Sequence, residues 1–337
     1  MNPVERALRR ADAAQQHFGP AAFLFGVIKK YGDDNAGVLV SNLAYAAFVS
    51  IFPLLLILVT VLVNVAAHDP SLRAQVISGA TSEFPLIGHQ LASNIHSLKR
   101  ATAASLVIGL LLLVFGVTRL AQAGLFTMEQ VWNLPGPDRP GYVPRLVRSV
   151  LFLGLLAVGV VLSTLLGGLV TYGHHGLGFR VLAQVLAVMA NVGLYFAGFR
   201  VLTPKAVPSR QLITGAVAGG LFWTVLQALG AYLVHHDLRS DTVYGIFATV
   251  LGLLAWIYLG VEGVVYSAEL NTVLARRLWP RAVVQPPLTD ADRASMALQA
   301  LQNRRRPEQH VEVSFTDQPS ATGNLEPHIP KHRTRSQ

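Results

Sequence analysis

Tyr258, Glu262, Tyr266 and Glu269 follow one another at steps of four, four and three within a long apolar stretch. At about 100° per residue they fall within a wedge of roughly 80°. One helix face therefore carries two carboxyls and two phenols. That set could form a proton or cation relay, or a polar wall for a substrate. Glu262 lies near the middle of the stretch, where a lipid-facing carboxylate is costly, so it points inward or is neutral. The alternative to a functional role is a protonated Glu262 that hydrogen-bonds a neighbouring helix and serves packing. Glu269 lies nearer the helix end, which favours a solvated or salt-bridged carboxylate.

A second polar set lies in the first long apolar stretch: Ser41, Asn42, Tyr45, Ser50 and Pro53. Asn42 and Tyr45 are three apart on one face, and Asn191 and Tyr195 form a similar pair further on. Such residues either hold helices together or line a path. Arg119, Arg148 and Arg200 lie at or near apolar stretches. Each either snorkels to the interface or offers a bidentate fork to an anionic lipid phosphate. The histidine pairs His174-His175 and His235-His236, with His68, Asp237 and Asp241, could be imagined as a zinc site. Adjacent histidines do not share a helix face, and no metal is expected. Walker A, His-Glu-x-x-His, dinucleotide-glycine and Gly-x-Ser-x-Gly patterns are all absent. No cofactor and no catalytic residue is expected, and the chain reads as a non-enzyme.

These residues are positioned by helices that must cross a bilayer. Only 13% of the 337 residues are charged and 52% are hydrophobic, whereas a soluble domain carries roughly a quarter charged. Val38–Ala67 contains no charged side chain. Six spans are expected: Val38–Ala67, Ala101–Val117 with a continuation towards Gln130, Val147–Tyr172, Val181–Leu202, Gln211–Val234 and Tyr244–Ala275. The fold class is an all-α polytopic membrane bundle. The first span is long for the bilayer, and Pro53 is expected to kink it. Asp33-Asp34-Asn35 is expected to cap that span. A short amphipathic helix is expected in the loop 68–100. Gly215 and Gly219 have the small-xxx-small spacing that lets helices approach closely.

Three regions follow: 1–34, an amphipathic interfacial helix; 35–279, the six-span membrane domain; and 280–337, a polar, largely disordered tail. A short helix from Asp290 to Gln302, capped by Thr289, is predicted inside that tail. Lys and Arg concentrate at alternate helix ends, twelve against five even without the C-terminal tail. The positive-inside rule then places both termini in the cytoplasm. The net charge of +9 lies at helix ends and in the tail, which suits anionic headgroups of the cytoplasmic leaflet rather than nucleic acid. Cysteine is absent, so no disulfide framework or thiolate chemistry exists.

The run Ser41-Asn-Leu-Ala-Tyr-Ala-Ala-Phe-Val-Ser-Ile-Phe-Pro-Leu-Leu resembles the opening motif of the YihY/virulence factor BrkB family. Tyr244-Gly245, Trp256-Ile-Tyr and Ser267-Ala-Glu-Leu-Asn resemble its closing motifs. Glu129-x-x-Trp132 and the Pro208–Trp223 stretch also fit. The resemblance covers about Phe25–Leu278. It implies a bacterial inner-membrane protein with six spans, and a link to envelope integrity. Members were long labelled ribonuclease BN, a label the missing nuclease chemistry does not support. The family has no agreed catalytic residues to carry over. The leading expectation is a transporter or a translocator of lipid or envelope components, with a path lined by spans one and six. The second is a non-catalytic scaffold for envelope machinery whose basic tail recruits partners. Membrane lipids are the expected partners, and the oligomeric state stays open, a homo-oligomer included.

Overall fold

The computed structural model describes residues 3–66, 103–172, 177–236 and 245–315. Among them there are nine α-helices and no strand. Two short helices open the chain, α1 (Pro3–His17) and α2 (Gly19–Asp33). Six long helices follow: α3 (Ala36–Ala66), α4 (Ala103–Val131), α5 (Tyr142–Tyr172), α6 (Leu177–Leu202), α7 (Ile213–His236) and α8 (Gly245–Arg276). Helix α9 (Asp290–Gln302) lies in the C-terminal segment.

The breaks have local causes. Gly19-Pro20 separates α1 from α2, because proline opens a helix more readily than it continues one. Asn35 (φ 51°) and Asn133 (φ 46°) take the left-handed conformation just beyond α2 and α4, where asparagine is tolerated better than most side chains. Pro204 follows the end of α6, and Pro208 precedes the 3₁₀ turn Ser209–Leu212 that leads into α7.

Each long helix packs against the next, and α8 returns to α3, so the six close into a ring. Helix α7 lies close to both α8 and α6. A Cβ on Gly215 would collide with the Ser267 carbonyl of α8, and one on Gly219 with the Tyr195 ring of α6. The expected small-residue contact therefore exists. Asn271 exploits it: its Oδ1 accepts from the Gly215 N–H at 2.6 Å, and its Nδ2 donates to Leu212 O at 3.3 Å. The main core gathers at the end of the ring where the chain termini meet, with Leu39, Val40, Leu125, Met128, Phe199 and Val265.

Four stretches among the described residues are long and apolar enough to cross a membrane: Tyr142–Gly159, Val181–Leu202, Ser209–Gly230 and Val250–Arg276. Ala36–Ile51 is a shorter apolar stretch. The loop 68–100, His68, His174-His175, Asp237 and Asp241 lie outside the described residues. So do the side chains beyond Ile51 in α3, including Pro53.

The terminal regions differ from the sequence expectation. One interfacial helix was expected over 1–34, and two are found. Helix α2 also packs into the bundle, with Gly26 against Leu278 and Trp279 of the segment that follows α8. Its opposite face exposes Leu24 and Ile28. The segment 280–303 packs onto α2, because Arg281 and Asp292 find charged partners there and on each other; of the residues beyond Arg306, where disorder is expected, 316–337 lie outside the described ones. Helix α9 is capped as expected: the Asp292 N–H donates to Thr289 Oγ1, and the Thr289 N–H donates to Asp292 Oδ2.

Candidate functional site

Two polar regions emerge, and they divide the sequence-predicted residues between them. The first is a cleft of about 490 Å³ between α3 and α4. Asn42, Tyr45, Val49 and Ser50 form one wall; Phe115, Thr118, Arg119, Gln122 and Phe126 form the other. Its location follows from how α4 turns. Gly116 faces α3, where the Ser50 hydroxyl lies 2.8 Å from its carbonyl. Gln122 and Glu129 reach α5 through Ser149 and Arg145, while Leu125 and Met128 point into the core. Arg119 and Phe126 are left on the outer surface of the ring. Tyr45 and Arg119 are both exposed there.

Arg119 has no carboxylate within ion-pair distance among the described residues, and its guanidinium carbon lies 5.9 Å from the Phe115 ring. It sits ten residues before Glu129, roughly 15 Å along the helix axis. A charged, unpartnered guanidinium this far from the polar end of an apolar helix is costly unless an anion or water meets it. Asn42, Tyr45, Thr118 and Gln122 add hydrogen-bonding groups around it. The cleft can therefore hold an anion by its charge, with neutral donors and acceptors beside it.

The second region is an ionic layer where α2, α4, α8 and α9 meet. Lys30 is fully buried. Its ammonium pairs with Asp34 Oδ2, donates to Val131 O at 3.1 Å, and lies 3.4 Å from Glu269 Oε2. Asp34 Oδ1 accepts from Asn133 Nδ2 at 3.1 Å. One step outward, Arg281 bridges Asp33 Oδ2 and Asp292 Oδ1, both at 2.6 Å, and Lys29 reaches Asp292 at 2.9 Å. Burial alone would raise the Asp292 carboxyl. Hydrogen bonds from Arg281, Lys29, the Ala282 N–H and Thr289 outweigh it and hold Asp292 well below the usual carboxylate range. Asp12 is likewise held below that range, because the Val283 and Val284 N–H groups and Gln16 donate to it and outweigh its desolvation. The expected cap at Asp33-Asp34 gives way to this layer, because both carboxylates are drawn to cations.

The polar face of α8 belongs to the second region. Tyr266 stacks on Tyr31 of α2, ring centroids 4.2 Å apart and planes within 9°. Burial, with the Glu262 carboxylate nearby, pushes the Tyr31 phenol up to about 12. Glu262 and Tyr258 are half-buried, and Glu262 has no hydrogen bond among the described residues. Glu269 is fully buried, with Oε2 3.4 Å from the Lys30 ammonium, so it is not solvated. The structure does not bring Asn42 and Tyr45 together with this face. The apolar stripe Ala44, Ala47, Phe48 and Ile51 packs between, against Leu253, Ile257 and Val261.

The remaining candidates are distributed elsewhere. Asn191 donates to Thr224 Oγ1 at 3.0 Å and lies 3.3 Å from Gln227 Oε1, tying α6 to α7. Tyr195 fills the space over Gly219 and meets Phe199 edge-on. Both act here as packing groups. Arg148 is half-buried with its Nη1 unpartnered, and Arg200 reaches only Val207 O, at 3.5 Å. Nearby Glu129 is spent on Arg145, both oxygens at 2.8 Å, and on Arg139 at 3.9 Å. Among the described residues no group of histidine and acidic side chains could hold a metal. Sequence reasoning missed Lys30, Tyr31, Asn133, Arg281 and Asp292. Only the four-residue spacing of Lys30 and Asp34 offered a local signal.

The model of the family described as Virulence factor BrkB matches residues 27–290, most of the chain. The chain belongs to the BrkB family. The match takes in Lys30, Arg119, Glu269 and both walls of the cleft, and leaves out α1 and nearly all of α9. The chain is also similar to proteins named UPF0761 membrane protein. The one from Alcanivorax borkumensis is 25% identical and covers 75% of this chain, which spans 60% of that relative. The one from Vibrio campbellii is 24% identical, covering 77% of this chain and 84% of its own length. The Alteromonas mediterranea protein is 25% identical, over 74% and 87%. No solved structure matches. With these relatives and its long apolar helices, the chain is a membrane protein.

Proposed function

We propose that this BrkB-family chain is a transporter of the bacterial inner membrane that moves an anionic lipid or envelope component along the cleft between α3 and α4. In this reading all six ring helices cross the membrane and both termini lie in the cytoplasm. The contact of α2 with the segment around α9 supports an even number of crossings, because it keeps the two ends of the chain on one side. The observation that carries the function is Arg119, a cation without a partner among the described residues, on the outer wall of the ring beside Asn42 and Tyr45. A headgroup phosphate would supply the missing counter-charge while its acyl chains stay in lipid. The route differs from a path between spans one and six, where Tyr258 packs among mainly apolar side chains of both helices.

The test is reconstitution in proteoliposomes with a fluorescent anionic phospholipid, scored for movement between leaflets. Wild-type protein moves the lipid and Arg119→Gln does not, at equal protein level and equal folding. Equal rates for the two proteins would remove the cleft from the function. The scaffold reading draws on a free basic tail, yet Arg281 is consumed inside the fold between Asp33 and Asp292.

A further inference from the structure

We propose that Lys30, Asp34 and Glu269 form a proton-binding site, in which one exchangeable proton resides on Glu269. The inference deepens the transport reading by naming a coupling ion, but the site itself stands on the geometry of the ionic layer.

The charges do not balance without that proton. Lys30, Asp34 and Glu269 have almost no solvent exposure, at 0%, 2% and 0% of their side chains. The one ammonium spends its three hydrogens on Asp34, the Val131 carbonyl and, at 3.4 Å, Glu269 Oε2. Asp34 holds the better share of it and also accepts from Asn133, with the Gln299 amide at 3.5 Å. Glu269 Oε1 is buried with no partner. Two carboxylates against one lysine leave a net negative charge, and an unpartnered carboxylate oxygen is the costliest place to keep it. Two carboxyls sharing one site do not both ionise freely. A proton on Glu269 makes the triad neutral.

The described residues around the triad supply no second cation. From α2, Glu269 is faced by Lys30 and Asp34, with Tyr31 beyond them; Tyr266 and Glu262 lie on its own helix. From α4 the layer receives the Val131 carbonyl and the Asn133 amide. From α3 the neighbouring core residues are Leu39 and Val40. Arg276 is turned to the Trp132 carbonyl at 3.0 Å, and Arg281 is held by Asp33 and Asp292. Access exists on one side. Asp34 lines a polar cavity of about 230 Å³ with Asp33, Gln130, Arg139, Gln299 and Gln302. A proton entering there meets Asp34 first and then the shared Lys30–Glu269 contact.

The experiment uses the full chain purified in detergent, with infrared difference spectra recorded across roughly pH 5–9, a span that includes documented buried glutamates. The expected result is a protonated-carboxyl band that titrates in the wild type and is missing from Glu269→Gln. Thermal unfolding gives the second readout. Gln at 269 keeps the shape and neutrality of the protonated acid, so Glu269→Gln unfolds within a few degrees of wild type. Absence of the band in the wild type overturns the proposal. So does a loss of stability in Glu269→Gln as large as that of Lys30→Met, since it would mean an ionised bridge. Neither measurement uses a substrate, so the outcome is independent of whether Arg119→Gln stops lipid movement.

Discussion

The cleft between α3 and α4 and the layer around Lys30 both place charge among apolar helices, and they treat it in opposite ways. In the layer most charges have a partner: Lys30 has Asp34, Arg281 has Asp33 and Asp292, and Glu129 has Arg145 and Arg139. Residues far apart in the chain are tied together there. In the cleft, Arg119 is exposed on the outer wall beside the Phe115 ring, with no carboxylate paired to it among the described residues. A layer of ion pairs between distant segments fixes the fold, with the Glu269 carboxyl left over to carry a proton. An open cation that contributes no such pair is available to something outside the chain. Stability and function should therefore separate between the two regions.

Lys30→Met gives the strongest test of that division. It leaves Asp34 and Glu269 buried without their cation, and the expected loss is about 3–5 kcal/mol, read by unfolding in detergent. A loss within experimental error would show that the layer does not hold the fold. Asp292→Asn is the next largest: it takes the charge from the contacts with Arg281 and Lys29, and about 1–3 kcal/mol is expected. Faster proteolysis of segment 280–303 would report it. Acid should do the same to wild type. The Asp292 carboxyl is lowered in the fold, so its contribution is full above the unfolded value of about 3.9. It is lost as pH falls below that towards the folded value. Protection of α9 against hydrogen exchange should fall over that acid range and stay constant from pH 5 to neutrality.

Thr289→Ala removes one half of the capping box of α9 and should cost about 1 kcal/mol. Arg119→Gln closes the series. Its effect on stability should stay within about 0.5 kcal/mol, as for a surface change, while lipid movement is lost. A large destabilisation by Arg119→Gln would erase the distinction between the two regions.

Much of the architecture was legible in the chain itself. The apolar runs located the long helices, and Gly215 and Gly219 announced a close helix contact that the structure contains. Thr289 signalled the start of α9. The family motifs were legible too, and Ser267-Ala-Glu-Leu-Asn acquires a physical meaning: Glu269 faces Lys30, and Asn271 binds the start of α7. The grouping of the site residues was less legible. Asn42 and Tyr45 share a face, but nothing in their spacing says that the face meets Arg119 of α4 rather than Glu262 of α8. The packing of the terminal segments was not legible, because their charged residues find partners on distant segments.

Helix positions and their apolar character depend on residues within one or two turns, and a single sequence records those directly. Which charges meet depends on how rigid helices rotate and stack, as when Lys30 finds Glu269 239 residues away. The amino-acid order alone made this a bundle of long apolar helices with polar ends. Packing alone decided that Lys30 would be enclosed and Arg119 left open, because burial and ion pairing are set by neighbours that the local pattern does not name.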